Sequence, residues 1–463
     1  MLSLKTSLLG SLNAALALLL IVVLVLWLKP PALLRVAANY SAKIVCSNVF
    51  VAGRDAQDVL LTDVQAPGAL LLRLMRVSVD RERGVVRAGL LGFIGDGLAI
   101  ARPGVGCAVV PPTSLLASTV TALPLIPAAP TAPGPEDLAW PEGEALRSEV
   151  RLQRTLQNDM LAGPGARAIV IVHQGRIAAE RYAAGFSAYT PLLGWSMTKS
   201  VTAGLIGILI KDGRLSLDQS GFWSTAIGDQ RGRIRITDLL AMSSGLHFDE
   251  SYGAVVDVTR MLYLEPDMAA FARAQPLDHP VGKVWSYSSG TAVILSRIFQ
   301  DTVGPDALNF AHRRLFDAIG MRSTIVETDA RGTLVGSSYM YANAHDWARY
   351  GQLLLQDGVW EGHAVLPAGY VAMMRTPVAA SHDQYAHGMV WRWGSDALTP
   401  GVNPDTAFGL PADTFWMEGH DGQFIAMVPS ESLVIVRLGL TPSRDHYQPQ
   451  ALVRAILDAV NGA

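Results

Sequence analysis

From Leu8 to Leu28 (LLGSLNAALALLLIVVLVLWL) an apolar run continues without a charged residue, about the length a helix needs to span a bilayer. Trp27 closes it, where an aromatic side chain suits a membrane–water interface. A cleaved signal peptide competes with an uncleaved anchor. The run is longer than a usual signal core, and the best small-residue cleavage site, Val36-Ala37-Ala38, lies well beyond it. The pattern favours an anchor within residues 1–30. Further on, Cys46 to Val51 (CSNVFV) and Leu70 to Val79 have strand-like apolar character. Gly89 to Gly106 is rich in glycine and predicts turns. Its Gly92-Phe93-Ile94-Gly95-Asp96-Gly97 does not fit the dinucleotide fingerprint, and no acidic ribose-binding position follows at the right distance. Residues 31–122 therefore read as a small β-rich or mixed module.

Leu123 to Glu144 is dense in proline and alanine and predicts a semi-rigid linker over 123–144. From Ala145 the chain reads as one domain, 145–463. Leu146 to Ala162 has helical spacing of apolar residues. Ala168 to His173, Gly175, then Arg176 to Tyr182 predict a strand–turn–strand hairpin. Val201 to Ile210 (VTAGLIGILI) predicts a buried helix that Gly213 stops. Ile236 to Leu246 reads as a capped helix running into a glycine turn, with Thr237 or Asp238 as the cap. Thr291 to Phe299 predicts a second apolar helix. Phe415–Glu418, Phe424–Val428 and Leu433–Leu440 predict three strands, and Pro449 to Val460 a final helix. Strands at both ends with helices between them predict an α+β fold, an antiparallel sheet with a helical region inserted.

Composition narrows the function. Half of the 463 residues are hydrophobic, enough for a large core, and the net charge of −3 is spread without a basic run. Nucleic-acid binding therefore has little support. The two cysteines, Cys46 and Cys107, cannot build a structural zinc site alone, but they could form one disulfide in an oxidising compartment, tying the ends of the N-terminal module. Lys5 precedes the apolar run, while Lys29, Arg35 and Lys43 follow it, so the positive-inside count does not favour export. His345-Asp346 and His382-Asp383 lack any further ligand spacing and read as solvated loop residues, so no metal or other cofactor is expected.

Candidate chemistry starts at Ser196-Met197-Thr198-Lys199, at the start of the predicted helix. A lysine three residues after a serine lies one turn along the same helix face. A hydroxyl needs a base within hydrogen-bond reach, and burial and the helix N-terminus lower a lysine pKa into a useful range. Gly194-x-Ser196-x-Thr198 lacks the second glycine of an α/β-hydrolase elbow. Three more stretches follow in order: Leu239-Leu240-x-Met242-x-Ser244-Gly245-Leu246, Tyr287-Ser288-Ser289, and His420-Asp421-Gly422.

This order resembles the serine hydrolases related to class C β-lactamases, which include penicillin-binding-protein-like enzymes, family esterases and 6-aminohexanoate-dimer hydrolase. The resemblance runs from about Ala145 to the C-terminus and implies an acyl-enzyme mechanism. By motif, Ser196 would be the nucleophile, Lys199 its base, and Tyr287 a proton relay whose pKa the nearby Lys199 lowers. The oxyanion hole would be the backbone N–H groups of Ser196 and Gln423. Ser289 stands where lactamases carry Asn, and His420 where they carry Lys. A largely neutral imidazole weakens the clamp on a substrate carboxylate, so esters and amides are expected to be better substrates than β-lactams. Tyr252 resembles the substrate-side tyrosine of the aminohexanoate-dimer hydrolases. Trp391, Trp393 and Trp416 would belong to the core or wall an acyl pocket. Exported relatives with a similar N-terminal extension imply a single-pass inner-membrane protein with its catalytic domain in the periplasm. The alternative is a catalytically silent penicillin-binding-like sensor or cell-wall-binding protein.

Overall fold

The structure, a computed structural model, describes residues 2–110, 135, 137–223, 228–394 and 402–462. Most of the expected linker lies outside the described residues. The chain divides into two compact units, the first formed by Met1–Ala101, Cys107–Thr119 and Ser251–Pro266, the second by Arg102–Gly106, Val120–Glu250 and Asp267–Ala463.

In the first unit, helix α1 spans Leu2–Leu28 and α2 spans Ala32–Phe50, with Pro31 at its N-cap. Among the residues whose side chains are described, no single helix is long and apolar enough to cross a membrane. Leu12–Leu28 and Ala32–Phe50 pass that test only as a pair, bent by 64°. Strands β1 (Met75–Asp80), β2 (Val85–Leu90), β3 (Ile94–Arg102) and β4 (Gly106–Val109) form a sheet in that order. The sheet lies tightly on α2: a Cβ added at Gly97 would sit 2.4 Å from the Ala38 carbonyl oxygen. Cys46 in α2 and Cys107 in β4 form the disulfide, Cα atoms 6.1 Å apart. Helix Asp257–Leu264, far along the chain, also joins α2: Asn39 Nδ2 donates to the Tyr263 carbonyl at 2.7 Å, and the Tyr40 and Tyr263 rings meet edge to face.

Three expectations change here. Cys46–Val51 is mostly the last turns of α2, not a strand. That helix is buried almost all round, so it carries no apolar stripe from which its period could be read. Leu70–Leu74 is a 3-10 turn, and extended chain begins only at Met75. Within Gly89–Gly106 the turns frame a nine-residue strand, β3, whose glycines permit the close approach to α2.

The second unit is built on a five-stranded antiparallel sheet. Strands β5 (Ala166–His173), β6 (Arg176–Tyr182), β7 (Phe415–Gly419), β8 (Gln423–Val428) and β9 (Leu433–Gly439) lie in the order β7-β8-β9-β5-β6. The two ends of the domain meet in the pairing of β9 with β5, where Ile435 faces Ile171. The intervening chain carries helices α3 (Met197–Lys211), α4 (Ser289–Val303) and α5 (Ala344–Leu355). α5 packs on the sheet, and Gly351 lets it close to within van der Waals contact of Val434. α6 (Pro449–Asn461) covers the opposite core, among them Leu452, Ile456, Ile435 and Trp416. This is the expected α+β arrangement.

Local details depart from expectation. Leu146–Ala162 breaks into two short helices, the second capped by Asn158, whose side chain accepts from Met160 N. In the Ile236–Leu240 helix the cap position is Arg235, and Asp238 reaches back to accept its N–H at 3.0 Å. His345 and Asp346 are not solvated loop residues. They are buried in the first turn of α5, where the His345 ring bridges Glu144 and Glu180 at 2.7 Å each and Arg349 pairs with Glu144 and Asp346. His382 and Asp383 are exposed, as expected. Among the described residues, no group of three or more His, Cys, Asp or Glu side chains is placed to hold a metal ion.

Candidate active site

Ser196 opens α3, so its N–H precedes the helical ladder and has no intrahelical acceptor. The turn delivering it is tight. Gly194 N–H donates to the Met340 carbonyl at 3.0 Å, and Trp195 takes a left-handed conformation at φ +48°, uncommon for a bulky residue. Gly419, the last residue of β7, is pressed against this turn: a Cβ there would lie 2.3 Å from the Gly194 carbonyl oxygen.

Lys199 follows one turn later and is 1% exposed. Its Nζ donates to Ser196 Oγ at 2.9 Å, to Ser289 Oγ at 3.1 Å and to the Ser337 carbonyl at 3.0 Å. These occupy all three donors of an ammonium group. Burial lowers its pKa to about 8, against the opposing pull of the Glu250 carboxylate. An amine near that value is a usable base at neutral pH.

The Ser289 hydroxyl extends the array. It donates to Glu250 Oε1 at 2.5 Å, and Ser289 N–H donates to Glu250 Oε2 at 2.8 Å. Burial raises the Glu250 pKa while Lys199 lowers it. A continuous donor chain thus runs from Lys199 through Ser289 to Glu250. Sequence reading did not single out Glu250, which stands two residues before Tyr252. Its only signal was an acidic residue shortly after the Ser244-Gly245-Leu246 turn, and nothing in that spacing indicates burial.

Tyr287 makes a hydrogen bond with the Ser196 side chain, and the Lys199 Nζ lies 4.8 Å above its ring centroid. The expected lowering of its pKa does not occur. Burial, Glu250 and Glu418 together push it well above the ordinary phenol value, outweighing the hydrogen bond to Ser196. The cation faces the ring, not the hydroxyl, so it does little for the phenolate. Trp391 and Tyr385 flank Tyr287 at 5.4 and 5.8 Å between ring centroids, and Trp285 joins them. Of the three tryptophans weighed for a pocket wall, Trp391 is therefore in the aromatic group around Tyr287. Trp416 lies in the core, its Nε1 donating to Asp405 at 2.8 Å, and Trp393 is buried.

The third motif is the turn between β7 and β8. The His420 ring packs edge-on against Trp195 at 5.5 Å and its Nε2 lies 3.4 Å from Asp421 Oδ1. Asp421 and Gly422 have positive φ, 60° and 73°. Burial raises the Asp421 pKa against the pull of His420. The buried Gln423 faces Gly419 across the hairpin, its Nε2 donating to the His420 carbonyl and its Oε1 accepting from Gly439 N, both at 3.3 Å. Ser196, Lys199, Tyr287 and Ser289 therefore form one array, with His420 alongside through Trp195. Tyr252 is an exposed residue of Ser251–Pro266, which belongs to the first unit. Two surface cavities of about 400 and 620 Å³ are lined by other residues of the second unit.

Comparison with known proteins bears on the family and the fold. A family model described as Beta-lactamase matches residues 152–456. Among solved structures, the chain is similar to a putative 6-aminohexanoate-dimer hydrolase from Bacillus anthracis (21% identity, TM-score 0.54, 64% of this chain and 79% of that one). It is also similar to EstCE1, a hydrolase with promiscuous acyltransferase activity (19%, TM-score 0.52, 67% and 97%). A penicillin-binding protein homologue from Caulobacter crescentus matches at 14% identity, TM-score 0.51, over 69% and 98%. At these identities the likeness is one of fold. No curated protein matches the chain.

Proposed function

The chain belongs to the beta-lactamase family and is a serine hydrolase, and on that premise we propose that it cleaves an ester or a short linear amide through an acyl-enzyme on Ser196. The observation that carries this reading is the 2.9 Å hydrogen bond between Ser196 Oγ and an almost fully buried Lys199. Neutral Lys199 takes the Ser196 proton as Oγ attacks the substrate carbonyl carbon. As the tetrahedral intermediate collapses, the bond to the leaving alcohol or amine breaks and the leaving group takes up that proton. Tyr287, holding its own proton, serves as hydrogen-bond donor and relay beside Ser196. Water then cleaves the acyl-enzyme by the same route in reverse. The N–H groups of Ser196 and Gln423 receive the oxyanion. Glu250, acting through Ser289, positions Lys199 and balances its charge.

Third-motif chemistry supports esters and amides over β-lactams, because His420 replaces the lysine that would hold a carboxylate. Aminohexanoate oligomers and D-amino-acid peptides are the amides to try, and Tyr252 is the candidate substrate-side residue. The apolar α1 and the Cys46–Cys107 disulfide support a membrane anchor with the catalytic domain outside the cytoplasm.

A fluorophosphonate probe tests the nucleophile. Stoichiometric labelling of the intact protein, lost in Ser196→Ala, is expected; no labelling would favour a catalytically silent sensor. In a substrate screen, cleavage of p-nitrophenyl esters should exceed that of nitrocefin, and the opposite ranking would overturn the reading of His420.

A further inference from the structure

The first unit has one apolar end. β1 begins and β2 finishes there, since Met75 pairs with Leu90 and Leu91 N–H donates to the Leu74 carbonyl at 3.0 Å. The β2–β3 turn carries Leu91 and Phe93, and the 3-10 turn before β1 carries Leu70 and Leu74. All four side chains are between 49% and 75% exposed. Large apolar side chains grouped in this way, unlike scattered ones, mark an interaction surface. The other end of the β1–β2 hairpin is the charged turn Asp80-Arg81-Glu82-Arg83.

Two further observations say what the apolar end meets. It is the end from which the apolar helix leaves. A Cβ at Gly95, two residues past Phe93, would sit 3.2 Å from the Leu34 carbonyl oxygen in the first turn of α2. Leu33 and Leu28, on the path into α1, are themselves 44% and 62% exposed. The end is also basic. Arg73 and Arg76 are exposed beside the leucines, and a Cβ at Gly92 would lie 3.6 Å from Arg76 Cβ.

We propose that this end of the N-terminal module is a docking surface for an anionic bilayer, in which Leu70, Leu74, Leu91 and Phe93 enter the interfacial layer and Arg73 and Arg76 meet lipid phosphates. The proposal rests on reading α1 as the membrane anchor and adds a second point of attachment. A single helix leaves a soluble part free to swivel; an apolar rim with basic neighbours fixes its attitude to the surface.

The test uses the full chain, whose native cysteines are joined and do not react with thiol probes. Single variants Phe93→Cys, Arg83→Cys and Val22→Cys are labelled with an environment-sensitive fluorophore. They are then reconstituted in nanodiscs of phosphatidylcholine and phosphatidylglycerol, with nitroxide lipids as quenchers. A label at 93 should shift to the blue and lose most of its emission to a headgroup-level nitroxide, while a label at 83 stays wet. The effect at 93 should weaken in Arg73→Gln/Arg76→Gln and without phosphatidylglycerol. If 22 lies in lipid while 93 is as wet as 83, the docking surface is wrong and the anchor stands. If neither is in lipid, both readings fall. A label at 93 in lipid without 22 keeps the docking surface and removes the anchor. Protection at 93 that depends on protein concentration and not on lipid assigns the surface to a second copy and overturns the proposal.

Discussion

Replacing Glu250 by Gln keeps the shape of the side chain beside Ser289 and removes its charge. Glu250 reaches Lys199 through a single hydroxyl, by hydrogen bonds of 2.5 and 3.1 Å. The two charged groups are thus roughly 5 Å apart, and at an effective dielectric near ~20 opposite charges at that distance attract by about 3 kcal/mol, or roughly two pH units. In the proposed mechanism Lys199 must be neutral to accept the Ser196 proton, so activity in the wild type should rise with pH toward a limb near its pKa of about 8. Glu250 raises that pKa, so the variant should show its limb one to two pH units lower, by the same Coulomb estimate. The limiting rate should fall, because the amide no longer accepts from Ser289 as a carboxylate does. The assay is kcat/KM against pH with an activated ester, compared with Glu250→Ala to separate charge from packing. The two groups titrate as a pair, so the limb reports the pair. An unchanged limb in Glu250→Gln would refute the coupling and leave Glu250 as packing alone.

Gly419→Ala places a Cβ against the Gly194 carbonyl and must push the turn that sets Ser196. A displacement approaching 1 Å costs about 10²-fold in rate, so kcat should fall steeply while thermal stability changes little; retained kcat would show that the turn yields elsewhere. His345→Gln should destabilise the second unit by about 3 kcal/mol, since Glu144 and Glu180 would lose their shared partner in a buried site. The His345 pKa is raised and the Glu144 pKa lowered. The bridge is therefore complete between the ordinary carboxylate and imidazole ranges, fades as pH rises through the raised His345 value, and fades again in acid as Glu144 protonates. Melting curves of the two proteins should differ most between the ordinary carboxylate and imidazole ranges and draw together as pH rises through the raised His345 value; a gap that grows with pH would contradict the assignment.

Much of the second unit could be read before the structure, because its elements are continuous apolar runs bounded by glycine and turn residues. The AIVIVH–Gly–RIAAERY hairpin has its glycine turn between two apolar runs, and the run after Lys199 has its length and its stop, Gly213, which takes the positive φ expected of a helix end. Local spacing and chain order singled out Ser196, Lys199 and Tyr287, and the structure brings these three side chains together. Glu250 was not singled out, because what makes it part of the array is burial against Ser289, a contact across 39 positions. The Tyr287 pKa was misjudged for a related reason: spacing says that an ammonium is near, not that it faces the ring. α2 was missed because full burial erases the stripe that betrays a helix, and His345 because two carboxylates distant in sequence fold in to cover it.

The helix Asp257–Leu264, with Val258, Met261 and Leu262 buried, belongs to the N-terminal unit and meets α2 through Tyr263, although the chain enters it only a few residues after Glu250. Cutting the polypeptide at the proline-rich stretch would therefore not yield two independent pieces. The downstream fragment would carry an orphaned greasy helix, and the upstream one would lack a strut. Any shuffling of this catalytic fold onto another leader would have to rewrite the sequence beside Glu250 as well.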